Sequence, residues 1–249
     1  DLGDQNLYTA KVTLKSKGQF QDAETVTFGI REVKMEMNPG WTEEEVAWSW
    51  TVKINGKRHF VRSGTWGGPP DMFTGRSTEE SYRKLIRLAK EANINNLRIF
   101  GWHPPEIPLF YELCNEAGIS VWQDIAVINN PVLHLGEEFK QEMFSETVKI
   151  LKQRRNHPCN IIIEGAEETL FMSSITQRKY QLGIVEELGD TLKKYTNLHY
   201  VPTSPLSSHH ATEVGFKHHE TGHPHGVHYG VGQMFLEDYY SQQNFAAIP

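Results

Sequence analysis

Two adjacent carboxylates, Glu167 and Glu168, follow a strongly apolar segment of the chain. The segment contains three consecutive isoleucines, Ile161 to Ile163, a pattern typical of a short buried β-strand. A carboxyl group at the end of such a strand is partly removed from water, so its pKa rises and it remains protonated near neutral pH. Such a group can act as a general acid. Together with a second carboxylate it would be suited to cleaving a glycosidic bond.

Regular strand geometry allows only one of these two acids to face the site, because successive side chains point to opposite sides. The sequence therefore predicts one catalytic carboxylate and one neighbour, with a solvated pair of acids near Thr169 as the alternative. The second carboxylate of a glycosidase pair should lie on another strand. Within this chain the candidates are Asp71 and Asp124.

Strands and amphipathic helices alternate from residue 59 onwards, which predicts parallel strands joined by helical crossovers. The helix that opens with Ser77 has Glu80 three residues later, the arrangement of a capping box. It places Leu85, Ile86, Leu88 and Ala89 on one face. The predicted strands cover 59–64, 95–101, 119–127, 159–165 and 198–204, with a weaker sixth at 226–230, and the predicted helices cover 77–93, 106–118, 137–156 and 175–196.

This alternation of strands and helices is typical of either a doubly wound sheet or a (β/α)8 barrel. The barrel is favoured because no glycine-rich phosphate loop follows the first strand, and because polar residues stand at the carboxyl ends of several strands. Those residues are Asp71, Arg98, Asp124, Glu168, Ser204 and His228. The predicted fold class is therefore α/β, a (β/α)8 TIM barrel that is incomplete, with its last strands missing.

The sequence before this βα repeat has a different pattern of apolar and polar residues. Residues 1–40 read as short β-like runs and are predicted to be the C-terminal remnant of an immunoglobulin-like β-sandwich. Residues 41–249 are predicted to form the catalytic barrel domain, and a hairpin is expected across Asn55-Gly56.

The composition of the chain argues against a nucleic acid or a membrane as its partner. A net charge of −6, a pI near 6.1 and no long basic run argue against a nucleic acid partner. No stretch approaches the length of a membrane helix, so no membrane partner is expected. Cys114 and Cys159 lie in apolar surroundings without metal-ligand spacing and are predicted to be buried free thiols.

A histidine-rich segment supports a rival interpretation. Eight of the twelve histidines fall between His199 and His228, and with Glu213 and Glu220 they could bind zinc in a metal-dependent hydrolase or a metal-binding module. A third alternative is a barrel that binds carbohydrate without cleaving it. Flat aromatic surfaces for sugar rings would then come from the tryptophans Trp41, Trp48, Trp50, Trp66 and Trp102.

An ordered series of motifs resembles glycoside hydrolase family 2, especially its β-mannosidase-like and exo-glucosaminidase-like branch. The motifs are FGIREV, INGKRHFVRSGTW, NNLRIFGW, LFYELCNEAGISVWQD, RRNHPCNIII, EGAEE and SPLSS, and the similarity runs from about Thr27 to Tyr229. The resemblance implies a sandwich domain followed by a (β/α)8 barrel. It also implies a retaining mechanism on a carbohydrate substrate without metal or cofactor, and it is compatible with a periplasmic or secreted protein.

The resemblance also implies roles for individual residues. Glu168 matches the acid/base glutamate, whereas Glu167 stands where an asparagine is expected, which leaves Glu167 as the alternative acid. Arg98 resembles the arginine that holds the nucleophile, and Asp124 closes the third-strand motif. Further residues expected at the sugar subsite are Trp66, Asp71, Trp102, His228 and Tyr229; around the last two, Gly226 and Gly230 depart from the family pattern.

The family nucleophile is a glutamate in a seventh-strand motif that this sequence does not contain. We therefore expect the chain to be a fragment whose nucleophile lies beyond Pro249, and whose remaining partners are the N- and C-terminal segments of the same parent chain. The fragment alone is expected to be inactive.

Overall fold

The computed structural model describes residues 3–40, 51–71, 74–101, 103, 105–125, 136–168 and 175–204. Several sequence predictions lie outside these residues. They concern Trp102, His228 and Tyr229, the tryptophans at 41, 48 and 50, the sixth strand at 226–230, and every histidine after His199.

The described parts of the chain contain ten strands and four helices, with a short 3₁₀ turn at Thr74–Arg76 before the first helix. In order they are β1 (Leu7–Ser16), β2 (Gln19–Gly29), β3 (Val33–Glu36), β4 (Thr51–Ile54), β5 (Lys57–Arg58), β6 (Ser63–Trp66), α1 (Glu79–Glu91), β7 (Asn96–Ile99), α2 (Pro108–Ala117), β8 (Ser120–Asp124), α3 (Gly136–Arg154), β9 (Asn160–Glu164), α4 (Ile175–Leu192) and β10 (His199–Val201).

Strands β6 to β10 form one parallel sheet in which every strand pairs with its neighbour in sequence. A helix connects each pair, as the alternating pattern predicts, so the α/β class is confirmed. A doubly wound sheet reverses its strand order at a switch point, and the described strands contain no such reversal. Five strands do not close a barrel, so the complete (β/α)8 fold stays a prediction.

The N-cap of helix α1 lies one residue later than the sequence predicts. Its N-cap is Thr78, whose hydroxyl accepts from the backbone N–H of Ser81 while the Ser81 hydroxyl accepts from that of Thr78. The predicted cap of Ser77 with Glu80 is wrong, because the reciprocal bonds form one position further on. Leu88 was expected on the buried face but is 42% exposed.

The N-terminal strands form two small antiparallel sheets. The hairpin β1–β2 pairs with no other described strand and has most of its side chains exposed, and the second sheet has the order β3-β4-β5. Strands β4 and β5 turn at Asn55-Gly56, which confirms the expected hairpin. The immunoglobulin-like sandwich is not confirmed. The pairing of β3 with β4 crosses the proposed domain boundary near residue 40, and that division stays a prediction.

The two faces of the parallel sheet have different partners. Side chains in register on one face, such as Leu97 and Val121, pack against α1 and α2 in an apolar core. On the opposite face, Ile162 and Val201 pack against Val52 of the three-stranded sheet. The described helices include none that is both long and apolar enough to cross a membrane.

Tyr200 of β10 connects the parallel sheet to α4. Its hydroxyl donates to the carbonyl oxygen of Val185 at 2.5 Å. Its ring lies where a Cβ would project from Gly189 of α4, and its hydroxyl lies where a Cβ would project from Gly165. A Cβ on Gly165 would also come within 2.8 Å of the carbonyl oxygen of Pro202. Both glycines are therefore required for the close approach of β9, β10 and α4.

Replacing Gly189 by alanine is expected to destabilise the protein, because the new methyl group would overlap the Tyr200 ring. Overpacking of this kind costs about 1–3 kcal/mol of unfolding free energy. Gly183 in the same helix provides the matched control, since a Cβ there meets nothing within 4 Å. Gly183→Ala should instead stabilise by about 0.5–1 kcal/mol through helix propensity. Urea unfolding measures both values, and equal effects of the two substitutions would contradict the packing explanation.

Candidate active site

The carboxyl ends of β7, β8 and β9 bring two acidic side chains, Asp124 and Glu164, into contact with Arg98. Its guanidinium donates to Asp124 through Nε (3.1 Å) and Nη2 (2.6 Å), and Nη2 also reaches the two Glu164 oxygens at 3.1 and 3.2 Å. Ser204, just beyond β10, accepts from Nη2 at 2.9 Å and donates its own proton to Glu164 at 2.6 Å. The predicted convergence of Arg98, Asp124 and Ser204 is therefore present in the structure.

This cluster is almost completely removed from water. The side chains of Asp124 and Glu164 are 0% exposed and that of Arg98 is 13% exposed. Burial raises the pKa of Asp124 well above its usual value, and the Glu164 charge raises it further, while Arg98 opposes both. The pKa of Glu164 is also raised by burial, against the lowering effects of Arg98 and Ser204. One cation thus lies beside two buried carboxyl groups, and the pKa values of both groups are raised.

Glu164 was missed by the sequence analysis. It occupies the last position of β9, directly after the three isoleucines, and its carboxylate also accepts from the indole N–H of Trp122 at 2.9 Å. Arg98 in turn lies over the Trp122 ring at 5.4 Å. The available signal was a charged residue within an otherwise apolar strand, because such a residue needs a buried partner.

Glu167 lies at the rim of this cluster and is half-buried. Its carboxylate accepts from the backbone N–H of Gly101 at 3.1 Å, and its backbone bridges to Ser204 in parallel orientation. Burial raises the pKa of Glu167, the Glu164 and Glu168 charges add to that increase, and Arg98 and the Gly101 hydrogen bond oppose it. A raised pKa is the property that a general acid requires.

Glu168 has an unusual backbone. Its φ is +55°, in the left-handed region that residues other than glycine rarely adopt, and its N–H donates to the carbonyl oxygen of Ser204 at 2.6 Å. The regular alternation assumed from the sequence has therefore ended, and both acids are half-buried. Strained backbone of this kind clusters at functional sites.

Trp66 lies on the other face of the sheet. It pairs in register with Ile99, whereas its neighbour Thr65 pairs with Arg98, so the Trp66 side chain is directed to the helix-packed core. Its indole N–H donates to the buried carboxylate of Glu106 at 2.8 Å, which also accepts from the Tyr82 hydroxyl at 2.7 Å. The structure therefore does not bring Trp66 into the Arg98 cluster.

Asp71 lies in the segment after β6, where its backbone N–H donates to the hydroxyl of Ser77 at 3.2 Å. Its role at the sugar subsite stays a prediction.

The histidine segment is described only at its first residue. His199 is on β10, and burial lowers its pKa to about 4, so its imidazole is neutral at physiological pH. Within the part of the chain that the structure describes, no three His, Cys, Asp or Glu side chains are arranged to hold a metal ion. Cys114 and Cys159 are buried and free, as predicted.

The known proteins similar to this chain include several β-mannosidases. The goat (Capra hircus) β-mannosidase is 29% identical over 166 residues, which cover 67% of this chain and 18% of that protein. The crystal structure of β-D-mannosidase from Dictyoglomus thermophilum matches with a TM-score of 0.76 and 30% identity, over 92% of this chain and 28% of that one. No protein-family model matches the sequence.

A β-glucuronidase from Parabacteroides merdae shares the fold, with a TM-score of 0.63 and 20% identity over 80% of this chain and 24% of that one. Fold and sequence together show an α/β protein similar to β-mannosidases and confirm the resemblance to glycoside hydrolase family 2. More specifically, the chain is a β-mannosidase-like protein. It spans about 18% of the length of the mammalian β-mannosidase that it matches.

Proposed function

We propose that the chain provides the acid/base part of a glycosidase centre that removes terminal β-linked mannose from oligo- or polysaccharides. The observation that carries this proposal is the meeting of Arg98, Asp124 and Glu164 with Glu167 at the carboxyl ends of consecutive parallel strands. In a (β/α)8 barrel these ends form the mouth that binds substrate. The sequential strand order supports such a barrel, closed by further strands of the parent protein.

Glu168 is the proposed acid/base. It would protonate the leaving oxygen and later deprotonate the incoming water, as the second half of a retaining mechanism requires. Its position in the family motif and its left-handed backbone support this role. Glu167 is the second candidate because its pKa is raised, and otherwise it takes the place of the asparagine that contacts the sugar 2-hydroxyl in similar enzymes.

The nucleophile of this proposal is a glutamate in the sequence that follows Pro249 in the parent protein. Asp124 is unsuited to that role because its side chain is completely buried and cannot reach a substrate. The Nη1 group of Arg98 has no hydrogen-bond acceptor among the described residues, so it can donate to an incoming carboxylate. That free donor agrees with the family role of holding the nucleophile.

The test is hydrolysis of nitrophenyl glycosides by the complete gene product that contains this sequence. We expect the β-mannoside to be cleaved faster than the β-galactoside, β-glucuronide and β-glucosaminide. The first product should keep the β configuration, as proton NMR of the anomeric position would show. Inversion, inactivity on all four substrates, or loss of activity with a chelator would reject the proposal, and the last result would favour the metal-dependent alternative.

A further inference from the structure

A cavity of about 390 Å³ lies where the hairpin β1–β2 meets the loop between α3 and β9. Its charged lining consists of two arginines, Arg31 and Arg155, and no described lining residue is acidic. The walls are completed by Val26, Phe28, Gly29, Asn156 and Pro158. The cavity therefore combines two cations and an amide with an apolar wall.

Arg31 is fixed in place by the main chain. Its Nε donates to the carbonyl oxygen of Pro158 at 2.5 Å, and its Nη2 donates to that of Asn160. A guanidinium has five N–H donors, so these two bonds leave Nη1 and part of Nη2 available. Burial lowers the pKa of Arg31, and among the described residues no carboxylate forms an ion pair with it.

Arg155 approaches the same cavity from the end of α3. Its Nη1 donates to the carbonyl oxygen of Tyr195 at 2.9 Å, which anchors the side chain. Its Nε and Nη2 have no acceptor among the described residues. Two anchored guanidinium groups with free N–H donors line the same cavity. Arginine binds phosphate and carboxylate groups through paired hydrogen bonds of this kind.

We propose that this cavity binds a small oxyanion, a phosphate or carboxylate group, between Arg31 and Arg155. The site is separate from the candidate active site. Arg31 binds the carbonyl of Asn160 at the start of β9, whereas Arg98 binds the side chain of Glu164 at its end. Four residues of extended strand separate those positions, roughly 13 Å. The proposal is therefore independent of the proposed glycosidase activity.

The experiment titrates the chain with inorganic phosphate, followed by phosphorus NMR, and separately with acetate, followed by proton NMR. Sodium chloride at matched ionic strength is the reference, because non-specific charge effects are screened equally. We expect saturable binding of at least one anion. Saturation by phosphate alone assigns a phosphate site, and saturation by acetate alone assigns a carboxylate site.

Three variants make the test specific. Arg155→Ala removes an exposed side chain, so the fold should persist, and it should weaken binding by about tenfold or more through loss of charge-assisted hydrogen bonds. Arg31→Lys keeps the positive charge but removes the planar guanidinium group with its paired N–H donors, so it should also weaken binding. Arg87→Ala, on the surface of α1, is the control and should bind normally. Absence of saturation, or equal binding by Arg155→Ala and Arg87→Ala, would overturn the proposal.

Discussion

Replacing Glu168 by glutamine in the complete gene product is expected to reduce turnover of mannosides with poor leaving groups by two or more orders of magnitude. Glutamine has a similar shape but cannot donate a proton to the leaving oxygen, and general acid catalysis is worth about 10²–10⁴-fold. Substrates whose leaving group is an activated nitrophenol need less protonation of the leaving oxygen. For these substrates, Glu168→Gln should reduce the rate of the first step by a smaller factor. Steady-state kinetics on both substrate types measure this difference.

Glu167→Gln is the matched control for that experiment, because it changes the adjacent carboxylate in the same way. We expect a smaller effect, mainly on KM, if Glu167 contacts the sugar rather than the leaving oxygen. The pH profile gives a second readout: loss of the acid/base should remove the alkaline limb of kcat/KM. If Glu167→Gln causes the larger loss and removes that limb, the two roles are exchanged, and if neither variant is impaired, the acid/base assignment is wrong.

Replacing Arg98 by alanine is expected to cost about 3–5 kcal/mol of unfolding free energy, because it leaves two buried carboxyl groups without their cation. That loss is a large part of the 5–15 kcal/mol by which a typical domain is stable. Asp124 and Glu164 are both 0% exposed, so water cannot replace the guanidinium without opening the sheet. Urea unfolding of the chain measures the effect, with Arg87→Ala, an exposed arginine, expected to change stability by less than about 1 kcal/mol.

The pH dependence of Arg98→Ala distinguishes charge from packing. Without Arg98, the carboxyl groups should have folded-state pKa values still further above their unfolded values, so the folded state binds more protons and is favoured as pH falls. The difference in unfolding free energy between Arg98→Ala and the wild type should therefore become smaller as the pH falls from neutral to acidic values. A difference that stays constant with pH would show that lost packing, rather than uncompensated charge, explains the destabilisation.

Local sequence patterns identified most of the elements correctly. Apolar runs such as Ile161 to Ile163 mark the strands, and Gly118 ends α2 with the left-handed φ of +71° that glycine accepts without steric cost. These features depend on residues close together in the chain, which is why the sequence alone reveals them. The sequence also indicated that Arg98, Asp124 and Ser204 share one edge of the sheet, because parallel strands end together.

The side-chain partners were decided only by the tertiary structure. Glu164 is a single charged residue in an otherwise apolar strand, and the sequence does not show that Arg98, Trp122 and Ser204 surround it. Trp66 was placed at the sugar site from its motif, yet strand register directs it to the opposite face. The left-handed turn at Glu168 depends on its bond to Ser204, which is far away in sequence.

The sequence by itself thus determined the alternation of strands and helices and the relation to β-mannosidases, because both are encoded in local patterns and ordered motifs. Only the tertiary structure decided which acids are buried, which acids are half-buried, and where two arginines line a cavity. Burial and charge compensation arise from residues that are distant in the chain. Their energies depend on distances and on exclusion of water, which appear only when the strands are assembled.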